Sequence, residues 1–132
     1  LKESRKEAQR WWKQAQNDLG YAELGLREGY YAQACFQSHQ VAEKALKALH
    51  YGLHEKRFVT GHSLARLSEG EGIDEEMHER LLVLDQYYIT ARYPNGLPDA
   101  APFEVYTKRQ AESAVETARA VLRWTQEVLE QL

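Results

Sequence analysis

Cysteine is almost absent from this chain, and the single Cys35 excludes an internal disulfide. Lying between Ala34 and Phe36, the thiol reads as a small buried hydrophobe in a reducing compartment rather than a reactive group. No apolar run approaches the ~20 residues that a bilayer-spanning helix needs, and the opening LKESRKEAQR does not have the pattern of a signal peptide. The expectation is a cytoplasmic protein with no membrane partner. Walker loops, GxGxxG, GxSxG and HExxH are all missing, as are internal repeats and strand-like alternation. Positive charge is not in excess either. With a formal net charge of -3, any anion site must be a local concentration of Lys and Arg.

What is present suits one helical domain over residues 1–132. Hydrophobic residues make up 43% and charged residues 28%, ordinary values for a globular protein long enough to have one core. Apolar residues recur at helical spacing through Ala8, Trp12, Ala15, Leu19, Ala22 and Leu26. This predicts a first helix from about Ser4, as N-cap, to Arg27, ended by Gly29. Trp11 points about 100° away from Trp12, so it flanks the core or faces a partner. A second stripe runs through Tyr31, Cys35, Ser38, Ala42, Ala45, Leu49 and Leu53, with Leu46 beside it, and predicts a helix over about 31–55. The short GYY link makes these two helices antiparallel.

A short helix follows Gly61, capped by His62 or Ser63 and ending near Glu69. A third long helix, capped by Asp74, carries Met77, Leu81, Leu84 and Tyr88 on its inner face and reaches about Ala91. A last helix starts at Thr107, with Ala111, Val115, Ala118, Leu122, Thr125 and Leu129 inward. The fold class is therefore all-α: an antiparallel up-and-down bundle of four long helices and one short one. All three prolines fall in the stretch TARYPNGLPDAAP. Pro94 disfavours helical geometry at Tyr93 and stops the third long helix there. The loop that follows is either a binding loop or a rigid strap, pinned to the bundle by Phe103 or Tyr106.

WWKQAQNDLGYAELGLREGYYAQACFQSHQVAEKALKALHYG, then GHSL, then ARYP, then an amphipathic final helix, resemble in order and spacing the HEPN domain family (higher eukaryotes and prokaryotes nucleotide-binding). The resemblance covers nearly the whole chain. It implies a helical bundle that dimerises, found as small stand-alone proteins encoded beside a minimal nucleotidyltransferase and as a module at the end of the chaperone-like protein sacsin. It also implies one of two chemistries. Many members are ribonucleases with Arg, a polar residue and then His four to six positions after the Arg; others lack that motif and bind nucleotide or act as scaffolds.

Arg57 and His62 have the bare ribonuclease spacing, but Phe58 follows the Arg and the segment lies after the second helix rather than near the third and fourth long ones. Arg92 ends the third long helix and no His follows it, so the acid/base partner is absent there. The reading that follows is a non-catalytic homodimer with a cationic cleft for a nucleotide such as ATP or GTP. Arg92, Lys44 and Lys47 would contact phosphate, Tyr93 would contact the base or position Arg92, and His62 would line the edge. Asp18, at a place where the family often has a carboxylate, is expected to pair with a lysine of the second helix. Glu43 and Lys47 read as a surface ion pair. His50 and His54, four apart, could sit on one helix face as a metal pair, but with no HExxH arrangement and no nearby Cys or carboxylate triad they read, like His39 and His78, as surface or dimer-rim residues, and no metal or cofactor is assigned. Two alternatives stand beside this: a metal-independent ribonuclease toxin controlled by a nucleotidyltransferase antitoxin, with RNA as its partner, and a pure interaction module using Trp11 and Tyr30.

Overall fold

The computed structural model describes residues 2–132 and shows six α-helices: α1 Lys2–Arg27, α2 Tyr31–Leu53, α3 Leu64–Leu67, α4 Glu75–Thr90, α5 Pro102–Val105 and α6 Lys108–Glu130. Four are long, as the periodicity predicts, and no strand occurs among the described residues. The expected Ser4 cap is instead inside α1, which is already helical at Lys2. At the other end of α1, Gly29 takes φ 85°. The Tyr30 amide then donates to the Gly25 carbonyl at 2.8 Å and the Gly29 amide to Leu26 at 3.4 Å. This pair of bonds closes the helix end and turns the chain back on itself.

Helix α2 is the centre of the bundle. It packs against α1 and α6 on one side and against α3 and α4 on the other, and 15 of its residues are buried. The single apolar stripe read from the sequence therefore understates its burial. Near its end α2 passes so close to its neighbours that a Cβ on Gly52 would lie 2.9 Å from Leu129 Cδ2 and 3.1 Å from Ala8 Cβ. The core holds Leu46, Leu49, Leu64, Leu81, Leu84, Val115 and Val121 among many alanines. Trp12 ties α1 to α6 by donating its indole N–H to the Leu122 carbonyl at 3.1 Å. No helix among the described residues is long and apolar enough to cross a membrane.

Cap residues place the remaining elements. Ser63 starts α3 by accepting from the Arg66 amide, Asp74 starts α4 by accepting from Met77, and Thr107 starts α6 in a reciprocal pairing with Gln110. The inner face of α4 closes on Tyr87 rather than Tyr88, which is only half-buried. After Pro94 the chain is more ordered than expected. A single 3-10 turn covers Pro94–Gly96, and α5 forms because Pro102 suits a first helical position and Glu104 accepts from the Ala101 amide at 3.0 Å. Tyr106 is the pin. It is buried, meets Tyr87 edge-on at 5.5 Å, and its hydroxyl is 2.6 Å from Thr90 Oγ1, while Phe103 is 73% exposed.

That contrast generates a test by urea denaturation. Tyr106→Ala should cost about 3–5 kcal/mol, the usual cost of truncating a buried aromatic side chain. Phe103→Ala should stay within about 0.5 kcal/mol, as for a surface substitution. Equal effects would contradict the assignment of Tyr106 as the anchor.

Candidate functional site

One row of α2 carries Phe36, His39, Glu43, Lys47, His50 and His54 at helical spacing. It faces α3, α4 and the segment between α2 and α3. His39 is fully buried, not a rim residue, and its Nε2 lies 3.2 Å from Asp85 Oδ1. Asp85 on α4 also accepts from the backbone amides of Leu64 at 2.8 Å and Ala65 at 3.2 Å, so it fixes the start of α3. Burial alone would raise the Asp85 carboxyl. The hydrogen bond from His39 and the two amides outweigh this and hold it below its ordinary value.

Glu43 is the second buried carboxylate. One oxygen accepts from Lys47 Nζ at 3.0 Å and the other from His62 Nδ1 at 2.9 Å. The expected surface pair of Glu43 and Lys47 is thus an interior one, with both side chains less than a tenth exposed. It persists there because each charge has a close opposite partner. His62 is 54% exposed, yet Glu43 sets its orientation. With Nδ1 donating, Nε2 faces away from the Glu43 bond and has no protein partner among the described residues.

Tyr88 collects the rest of the site. The His62 ring stacks on it at 4.6 Å and 19°, His39 meets it at 5.1 Å, and the Arg92 guanidinium sits over it at 4.5 Å. Arg92 also lies over Phe36 at 4.4 Å and Tyr93 at 5.0 Å. Its Nε donates to the Tyr88 carbonyl at 2.8 Å. No carboxylate among the described residues pairs with it, so both terminal nitrogens remain available to a ligand. The proline stop after Tyr93 is what leaves Arg92 just past the end of α4, where its side chain can lie across these rings.

Of the five residues expected to bind ligand, the fold brings Arg92 and His62 onto Tyr88, sets Tyr93 against Arg92, and links Lys47 to His62 through Glu43. Lys44 lies apart from them. It pairs with Asp18 on α1, as expected for that carboxylate, and Gln14 donates to the same Asp18 at 2.9 Å. Arg57 is exposed in the loop after α2, so Arg92, sharing Tyr88 with His62, is the arginine tied to this site. Trp11 is used internally: it stacks on Tyr51 at 5.4 Å beneath Lys47 and donates to Glu7. Cys35 is a packed hydrophobe whose thiol burial pushes up to about 12. His39, Asp85 and Phe36 were not singled out from the sequence as site residues, although the row 36–39–43–47–50 on α2 has helical period.

A bundle of four long helices, with an aromatic-stacked arginine at a helix end and an imidazole held by a buried carboxylate, defines an all-α helical-bundle class. The comparisons make this specific. The HEPN domain family model matches residues 8–128, and the chain belongs to the HEPN family. It resembles the crystal structure of TT1696 from Thermus thermophilus, with TM-score 0.84 and 38% identity over 92% of this chain and 97% of that one. It also resembles ST0689, an archaeal HEPN homologue, with TM-score 0.79 and 33% identity over 93% of this chain and 98% of the other. A Methanocaldococcus jannaschii protein named "Putative toxin MJ1304" is 28% identical over 130 residues, covering 90% of this chain and 86% of the relative.

The lowered Asp85 carboxyl gives a stability prediction with a definite sign. A carboxyl whose folded value lies below its unfolded value, ordinarily about 3.9, contributes fully above that value and loses the contribution as pH falls through the folded one. Wild type should therefore be more stable than Asp85→Asn at pH 7, with the gap narrowing below about pH 4. Denaturant midpoints measured at both pH values check this; a gap that widens in acid would contradict it.

Proposed function

We propose that this chain is a non-catalytic HEPN module that binds a nucleotide or another phosphate-bearing ligand where Arg92, Tyr88 and His62 meet. The observation that supports it most is Arg92 itself: a guanidinium held against three aromatic rings, with both terminal nitrogens unpaired. Such a group offers a planar fork of donors to phosphate oxygens. Tyr93 is half-exposed and available to stack on a base. Lys47 and Lys44 are secondary contacts in this reading, because each already has a carboxylate partner that a ligand would have to share. The outer face of α4 also exposes Leu82, Val83 and Ile89, which supports a second copy of the chain as partner. A minimal nucleotidyltransferase is the further partner consistent with this family reading.

A second reading is RNA cleavage in a toxin role. It is favoured by the toxin name of the Methanocaldococcus jannaschii relative and by the bond that orients His62 from Glu43. His62 Nε2 would then exchange a proton with the reacting 2′-hydroxyl or leaving oxygen, and Arg92 would stabilise the phosphorane charge.

A thermal-shift titration with ATP, GTP and short RNA at low and moderate salt separates these. Ligand binding to the folded state raises the melting temperature by mass action. The binding module predicts a saturable, salt-weakened rise that is absent in Arg92→Ala, with RNA left intact. No rise with any of the three, or an unchanged rise in a folded Arg92→Ala, would refute the site. RNA cleavage without added metal, abolished in His62→Ala, would replace the first reading with the second.

A further inference from the structure

The lower end of the polar row on α2 meets a different group. His50 and His54, four residues apart on one helical face, converge with Glu71 from the turn between α3 and α4, and one donor atom from each lies within 4.8 Å of the other two. We propose that His50, His54 and Glu71 form a site for one zinc-class divalent transition-metal ion per chain, clamping the end of α2 to the α3–α4 turn.

The hydrogen bonding of His50 is the first support. Its Nε2 lies 2.8 Å from the Leu67 carbonyl oxygen, which has no proton to give, so Nε2 is the protonated nitrogen. In the neutral imidazole the other nitrogen, Nδ1, is then a bare lone pair. It is buried and has no hydrogen-bond partner among the described residues. An imidazole that donates one N–H to a backbone carbonyl while keeping the other nitrogen bare has the orientation and basicity of a metal ligand.

Glu71 is the second support. Its side chain is only 8% exposed, and its sole side-chain partner among the described residues is His54, with Nε2 at 2.8 and 3.1 Å from the two carboxylate oxygens. No Lys or Arg shares it, although the segment between α2 and α3 carries Lys56 and Arg57. Gly70 and Gly72 flank it at φ 74° and 85°. These two left-handed positions build the tight turn that brings the carboxylate over the end of α2. A plain imidazole–carboxylate bridge accounts for His54 and Glu71, but it leaves His50 Nδ1 without a role.

The donor set selects the ion. Two imidazoles and one carboxylate suit zinc, nickel or cobalt, whereas magnesium and calcium take oxygen donors. A tetrahedral ion with ligands at about 2.0–2.1 Å needs donors about 3.4 Å apart. The half-exposed His54 can supply the small rotation this requires. On binding, its Nε2 gives up the proton now shared with Glu71, to Nδ1 or to solvent, and solvent completes the fourth position.

Zinc binding by tag-free protein, measured by competition with a chromogenic chelator and by thermal shift, tests the site. The expected result is one zinc per chain, a raised melting temperature, and no effect of magnesium at the same concentration. His54→Ala and Glu71→Gln should each weaken zinc binding on the order of tenfold or more, while His78→Ala, on α4 and outside the cluster, should bind as wild type does. The proposal is overturned if wild-type protein takes up no zinc, if His54→Ala binds as tightly as wild type, or if His78→Ala loses binding to the same extent.

Discussion

Burying α2 on two sides takes much of a row of its polar side chains out of water, and the surrounding structure gives each of them at least one partner. His39 reaches Asp85, Glu43 reaches His62 and Lys47, His50 reaches the Leu67 carbonyl, and His54 reaches Glu71. An unpaired polar group in such a position costs more than a formed hydrogen bond contributes. The segment from His62 to Glu71 is therefore not a free loop. Three of its residues, His62, Leu67 and Glu71, are held side by side along α2, and Asp85 fixes Leu64 and Ala65 from α4.

The same requirement connects fold to site. Glu43 neutralises Lys47 inside the bundle, and its remaining oxygen orients an exposed imidazole. Tyr88, one position past the apolar stripe of α4, gives that imidazole a face to stack on and gives Arg92 another ring to lie against. Arg92 is thus held by a carbonyl and aromatic rings rather than by a carboxylate, which keeps its positive charge available. An arginine neutralised by an ion pair would lose much of its attraction for phosphate.

Local signals carried most of the architecture. The long helices follow from apolar period, and the starts at Asp74 and Thr107 follow from their side-chain oxygens. The break after Tyr93 follows from Pro94. The site was less legible because its contacts join positions far apart in the chain. Glu43 and Lys47 at i, i+4 read the same on a surface as in an interior, and only packing distinguishes the two. Asp85 gives no hint in sequence that it would cap α3, and Glu71 gives none that its turn would place it against His54. The period-matched row from Phe36 to His54 was visible, but its polar character made it look like a solvent face. Two sets of neighbours, α1 and α6 on one side and α3 and α4 on the other, bury its central residues His39, Glu43 and Lys47.

A buried carboxylate on α2 sets the orientation of His62 at the mouth of the site. Imidazole nitrogen NMR at about pH 8.5, where histidines of ordinary pKa are neutral, tests this most directly by reporting which ring nitrogen carries the proton. His62 should be in the Nδ1–H form, donating to Glu43, and should lose that preference in Glu43→Gln, with His50 remaining in the Nε2–H form in both proteins. A His62 ring that averages between the two forms in wild type, or that ignores Glu43→Gln, would contradict the claim.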